Sequence, residues 1–207
     1  MRIYDVSMII HESMQVYKNK PEKKPVIGIQ STFPESTVHE STLSMNLHTG
    51  THMDFSKHVI EGGKTSETLD LNRLITKVKV LDLTHVKDGI GPEDLSSKEI
   101  NPGDFVLFKT TNSFSDTFVP DFVYLSEDGA HHLASIGVKG VGTDALGIER
   151  DQPGYPTHKT CFNHDIVIIE GLRLKNVPEG TITMVALPLK IKDVEALPLS
   201  IVLLDNA

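Results

Sequence analysis

The chain has 207 residues and a mass of 22.8 kDa, enough for one domain spanning residues 1–207 with a core that needs no disulfide staples. Apolar residues make up 39% and charged residues 23%, a balance that excludes a disordered chain, and the formal net charge of −8 argues against a nucleic-acid or anionic-membrane partner. The single cysteine, Cys161, allows no internal disulfide, the first seven residues carry no secretory signal, and no apolar run approaches the roughly 18 residues of a membrane span, so a cytoplasmic protein is expected.

In chain order, residues 25–33 read as a Val- and Ile-containing strand. Residues 42–48 alternate, with Leu43, Met45 and Leu47 on one face and Thr42, Ser44, Asn46 and His48 on the other. A helix is possible over 68–74. Residues 77–83 alternate again. A short helix is expected over 92–97, and the Pro102-Gly103-Asp104 turn leads into a strand at 105–109. Residues 126–135 are the clearest helix, with Ser126 as N-cap, Glu127 and Asp128 in the first turn and Gly137 as terminator. Strands follow at 138–141 and 165–170, separated by a helix over 157–163. Strands at 181–189 and 199–204 close the chain. Strands outnumber helices without alternating strictly with them, which predicts a single α/β domain around a mixed sheet.

Ten histidines are present, and their placement carries the chemistry. His48-Thr49-Gly50-Thr51-His52-Met53-Asp54 is followed by His58. Gly50 permits a tight turn that returns His52 towards His48. Asp54 lies two residues beyond His52, so in an extended chain both side chains leave the same face. Two imidazoles and a carboxylate form a three-ligand site with an open position, the pattern of a catalytic metal. A second cluster holds His158, after a Pro-Gly loop, and Glu170, a carboxylate closing an otherwise apolar strand, which is costly unless paired or metal-bound. His164 and Asp165 read as loop residues. His131 and His132 read as helix-surface residues, and His11, His39 and His85 as loop or strand-end residues. Cys161 reads as a small buried hydrophobe. Asp144 either orients a ligand histidine or caps a turn.

The segment from His48 to His58 resembles the H-x-G-T-H-x-D-x-P-x-H signature of the metal-dependent cyclase-like hydrolases, whose best-known members are the bacterial kynurenine formamidases. Further similarity runs through Asp5-Val6-Ser7, Gly103-Asp104, Gly142-Thr143-Asp144, Pro156-Thr157-His158, Glu170-Gly171-Leu172 and Ala186-Leu187-Pro188-Leu189. The resemblance implies a swivelling β/β/α fold and a homodimer or homotetramer. It also implies up to two divalent ions, Zn²⁺ or Mn²⁺. His48, His52 and Asp54 would hold one ion. Asp54, His158 and Glu170 would hold a second, and His58 would be the general acid/base. Ser56 replaces the signature proline, which would loosen the loop carrying His58. Tyr17 stands near a position where the family often has an aromatic followed by Pro-Gly, and it would stack on an aromatic substrate. The implied reaction is hydrolysis of a small-molecule amide, N-formylkynurenine being the best-known case. The alternatives on the same residues are a metal-dependent lyase or cyclase, a cyclic-amide hydrolase, and a non-catalytic metal-binding protein.

Overall fold

The computed structural model describes residues 1–205. Its strands are β1 (Arg2–Asp5), β2 (Val26–Ser31), β3 (Glu40–Ser44), β4 (His52–Asp54), β5 (Ile75–Asp82), β6 (Gly89–Ile90), β7 (Phe105–Lys109), β8 (Tyr124–Leu125), β9 (Gly140–Thr143), β10 (Val167–Glu170), β11 (Gly180–Pro188) and β12 (Ala196–Asp205). The helices are α1 (Pro92–Leu95), α2 (Glu127–Ile136) and α3 (Pro156–Asn163). Eight strands form one mixed sheet in the order β1-β12-β11-β5-β7-β9-β10-β4, and a further pairing of β4 with β12 curls it into a barrel-like closure. The centre, β5-β7-β9-β10, is parallel. The strands around it pair antiparallel. The fold is thus of the expected mixed α/β class.

Alternation along the strands sorts side chains into two cores. In β7, Phe105 and Leu107 point to the inside of the curled sheet and join Met53, Ile169, Leu197 and Met184. Val106 and Phe108 point the other way and pack with Ile168, Leu125, Leu133 and Cys161 beneath the helices. The parallel strands therefore read as continuous apolar runs, because helices cover their second face. Ser126 caps α2 by accepting from the Gly129 amide, and Gly137 ends it at φ 85°, as its sequence predicts.

Three expectations need correction. The alternating run over 42–48 is a strand only to Ser44, and it pairs with β2 in a ribbon outside the main sheet. Its apolar residues stay in the open: Ile29 is 66% and Leu43 53% exposed. The Asn46 side chain accepts from the His48 amide, so the chain turns and His48 lies in that turn, not on a strand end. Residues 68–74 form no α-helix. Asp70 breaks the run into two single 3₁₀ turns by accepting from the Asn72 amide. Finally, the sequence reading missed β1 and β4, each too short to show a period.

Strand β4 positions the site. It lies between β10 and β12, with Glu170 opposite His52, Ile169 opposite Met53 and Ile168 opposite Asp54. Met53 fills the inner core. His52, Asp54 and Glu170 consequently leave the opposite face, towards α3. The approach is close. Gly171 has φ 73°, and a Cβ there would stand 2.4 Å from the Gly50 carbonyl oxygen. We predict that Gly171→Ala lowers unfolding stability by roughly 1–3 kcal/mol, since both the left-handed backbone and the Gly50 peptide must give way. Urea denaturation checks this, and an unchanged midpoint would refute the packing argument.

Candidate active site

Five side chains converge where β4, β10, α3 and the turn before β4 meet. His48 Nδ1 lies 3.0 Å from Asp54 Oδ1, and His52 Nε2 lies 3.5 Å from the same oxygen and 3.3 Å from Glu170 Oε2. His158 Nε2 lies 3.5 Å from Asp54 Oδ2 and 3.6 Å from Glu170 Oε1. All but His48, which is partly accessible, are buried. Each ring is oriented from behind. The Gly50 carbonyl, which can only accept, sits 3.0 Å from His52 Nδ1, so that nitrogen carries the proton and Nε2 turns to the carboxylates. Glu149 does the same for His158, at 2.7 Å from Nδ1, while its other oxygen accepts from the Thr157 amide in the first turn of α3. Glu170 also accepts from the Ile148 amide at 2.6 Å.

Buried carboxylates need compensation. Burial and the nearby Asp54 charge would raise the Glu170 pKa, but His158 and His52 outweigh them and hold it at about 2. Burial likewise opposes ionisation of Asp54, yet His52, His158 and His48 bring it well below the usual carboxylate range. In return, Asp54 and Glu170 overcome the desolvation of His52 and lift its pKa to about 9. His158 is raised as well, by Asp54, Glu149 and Glu170 acting against its burial.

These residues fit a divalent cation. His52 Nε2 and both Asp54 oxygens are buried with no hydrogen-bond partner among the described residues. Neutral imidazoles would turn lone pairs towards anionic oxygens, an arrangement that needs positive charge between them. Donors about 2.1 Å from one tetrahedral ion stand about 3.4 Å apart, close to the separations of 3.3–3.6 Å among His52, His158, Asp54 and Glu170. Among the described residues, His52, Asp54 and Glu170, and likewise His48, Asp54 and His58, each bring three donor atoms within 4.8 Å of one another.

His58 ends a 3₁₀ turn, Ser56–His58, with its ring centroid 4.1 Å from that of His48 and 5.6 Å from that of His158. Partial burial and the like charges of His48 and His158 push its pKa down, against Asp54 and Glu170. The loop is tied in place: the Ser56 hydroxyl accepts from the Lys64 amide at 2.8 Å, and Lys57 donates to the Lys64 carbonyl at 3.0 Å. Serine at position 56 therefore supplies an anchor for the loop that proline could not. A cavity of about 440 Å³ opens over the cluster, walled by Tyr17, His48, His58, Tyr155, His158 and Glu170.

Other histidines lie apart. His131 and His132 are on α2, His131 exposed. His11, His39 and His85 are exposed, and His164 sits at the end of α3, its Nδ1 2.9 Å from the Thr160 carbonyl. Cys161 is buried, which pushes its thiol up to about 12. Asp144 caps a turn: it accepts from Thr110, Asn112 and Ser113 and touches no histidine. Sequence reasoning missed Glu149, whose surroundings have no periodicity to distinguish it from a solvated glutamate. It also missed Glu195, just before β12 and 3.5 Å from His48 Nε2.

Residues 4–150 match the model of the cyclase family, described as "Putative cyclase". The chain belongs to this family. It is 33% identical over 208 residues to the kynurenine formamidase of Salinibacter ruber, covering 99% of this chain and 98% of the relative. It is 32% identical to that of Erythrobacter litoralis, covering 94% and 90%. A solved structure titled a potential metal-dependent hydrolase with cyclase activity superposes with a TM-score of 0.91 at 51% identity, covering 98% of this chain and 96% of the other. No helix of the described residues is long and apolar enough to cross a membrane.

The charge balance predicts how pH acts on the metal-free protein. The raised pKa of His52 gives stability that is fully present below about pH 6.5 and is lost as pH rises through about 9. The melting temperature of chelator-treated protein should fall by roughly 5–10 °C across that window. Divalent cation, which replaces the proton, should remove most of the fall. Scanning calorimetry with and without metal checks both; a flat profile in chelator would contradict the charge assignment.

Proposed function

We propose that this protein is a divalent-metal-dependent amide hydrolase that deformylates an N-formyl arylamine, the chemistry for which its kynurenine formamidase relatives are named. The reading places it in tryptophan breakdown, with N-formylkynurenine as the natural substrate class. The observation that carries it is the buried donor set of His52 and Asp54, without hydrogen-bond partners, directly beside His48, His158 and Glu170, which line an open cavity. A purely structural metal site would close its coordination with protein, whereas this one faces the cavity.

His48, His52 and Asp54 would hold one ion, and Asp54, His158 and Glu170 a second. Zinc suits this set of imidazole and carboxylate donors, with manganese as the alternative. Lewis-acid polarisation of the formyl carbonyl and acidification of water are what such a cation supplies when bound there. The chain's own residues do the rest. His58, with its lowered pKa, is neutral at pH 7 and takes the proton from the attacking water. It returns that proton to the amine nitrogen as the C–N bond breaks, leaving formate and the free arylamine. Tyr17 offers the ring face against which the aryl group stacks. Glu149 keeps His158 turned to the cavity floor. The protein is assigned to the cytoplasm as a homodimer or homotetramer, an assembly supported by the outward apolar side chains of the β2–β3 ribbon.

The deciding experiment measures metal content by elemental analysis and formate release from N-formyl arylamines, before and after chelation. Activity that survives complete metal removal would end the proposal. Two variants test the roles. His58→Ala should keep its metal while kcat falls about 10²–10⁴-fold and the acidic limb of the pH profile disappears; loss of metal instead would make His58 a ligand. Glu149→Gln should weaken metal affinity about 10–100-fold, with activity recovering at high metal concentration. Equal affinity in variant and wild type would take Glu149 out of the site.

A further inference from the structure

We propose that Lys23 is the specificity-determining residue of the cavity, its ammonium group binding a carboxylate carried by the arylamine substrate. The inference rests on the hydrolase reading above and extends it from the scissile bond to an acidic substituent on the aryl ring.

Three lysines line the cavity. Lys18 is already neutralised, its Nζ lying 2.5 Å from Asp151. Lys20 is exposed and solvated. Lys23 differs from both: it is half-buried, yet among the described residues its ammonium group makes no hydrogen bond or ion pair. Desolvation, with Lys20 adding to it, lowers its pKa against the pull of Glu170 and Asp54. A partly dehydrated cation whose one contact is the Tyr17 ring, with no anion beside it, is a standing cost that an incoming carboxylate relieves.

Its position is built, not incidental. The Lys23 carbonyl accepts from the Thr49 hydroxyl at 2.8 Å, and Thr49 is buried directly after His48. The 3₁₀ turn Pro21–Lys23 fixes the approach, with Lys23 donating to the Lys20 carbonyl at 3.0 Å. The base of the side chain is thereby pinned to the same turn that presents His48. The ammonium group stands 5.6 Å from the Tyr17 ring centroid. An aryl ring against Tyr17, with its amide at the histidines, would bring an acidic substituent to Lys23. Charge favours this when the floor is loaded, because one divalent ion cancels the charges of Asp54 and Glu170 and leaves Lys23 in excess.

The test compares N-formylanthranilate, which carries a carboxylate, with formanilide, which does not. In Lys23→Met, KM for N-formylanthranilate should rise about 10–100-fold, while kcat/KM for formanilide stays within about twofold. Lys23→Arg should recover most of the loss. The anchor to Thr49 uses the Lys23 backbone, so both variants keep it. Equal effects on the two substrates, or none, overturn the proposal. If the wild type cleaves neither, the hydrolase reading has failed, and calorimetric binding of 2-aminobenzoate to zinc-loaded protein then decides the proposal alone. Affinity at least tenfold weaker in Lys23→Met upholds it, and equal affinity in the two proteins overturns it.

Discussion

Two carboxylates held under a helix are the constraint on which this structure turns. Asp54 and Glu170 leave the helix-facing side of β4 and β10, buried beside the apolar core under the helices, and neither can stay ionised there without nearby positive charge. The surrounding arrangement answers that need. Register puts His52 across from Glu170, α3 delivers His158, and the turn at Asn46 swings His48 in from outside the sheet. Glu149 and the Gly50 carbonyl then fix which nitrogen of His158 and His52 points inward. Asp54 nevertheless has only imidazoles around it and no hydrogen bond to either oxygen among the described residues, the mark of a site shaped for a cation.

The site divides into a rigid floor and a more adaptable wall. The floor is made of strand residues locked by pairing on both sides, since β4 hydrogen-bonds to β10 and to β12. Such residues hold donor atoms to the tolerance that metal coordination demands. The wall comes from connecting segments: Tyr17 and Lys23 from short 3₁₀ turns, His58 from another, and Tyr155 from the loop entering α3. Loops on a fixed scaffold can change without disturbing the floor.

Much of the strand and helix content was legible locally. The apolar runs of β7 and β10 and the capped helix α2 each carry their own signal in a handful of residues. The failures have one cause. Alternation over 42–48 marks an amphipathic strand but not what its apolar face meets, and here Leu43, on the strand itself, stays exposed while Met45 and Leu47 lie beyond the strand's end. The three-residue β4 has no period to read, and its strand character comes entirely from its two neighbours.

The sequence alone determined the chemistry of the donors. Two histidines and an aspartate spaced around Gly50, with His58 beyond them, select imidazole and carboxylate donors on one side of an extended segment, because side-chain direction in a strand follows from spacing. Only the tertiary structure decided their company. Glu149 and Lys23 reach the cavity, and Glu195 reaches His48, through contacts between segments far apart in the chain, and a solvated and a buried glutamate look the same until the fold removes the water around one of them. Asp144 shows the converse, for its place in a suggestive motif could not reveal that its oxygens are all taken by the turn after β7.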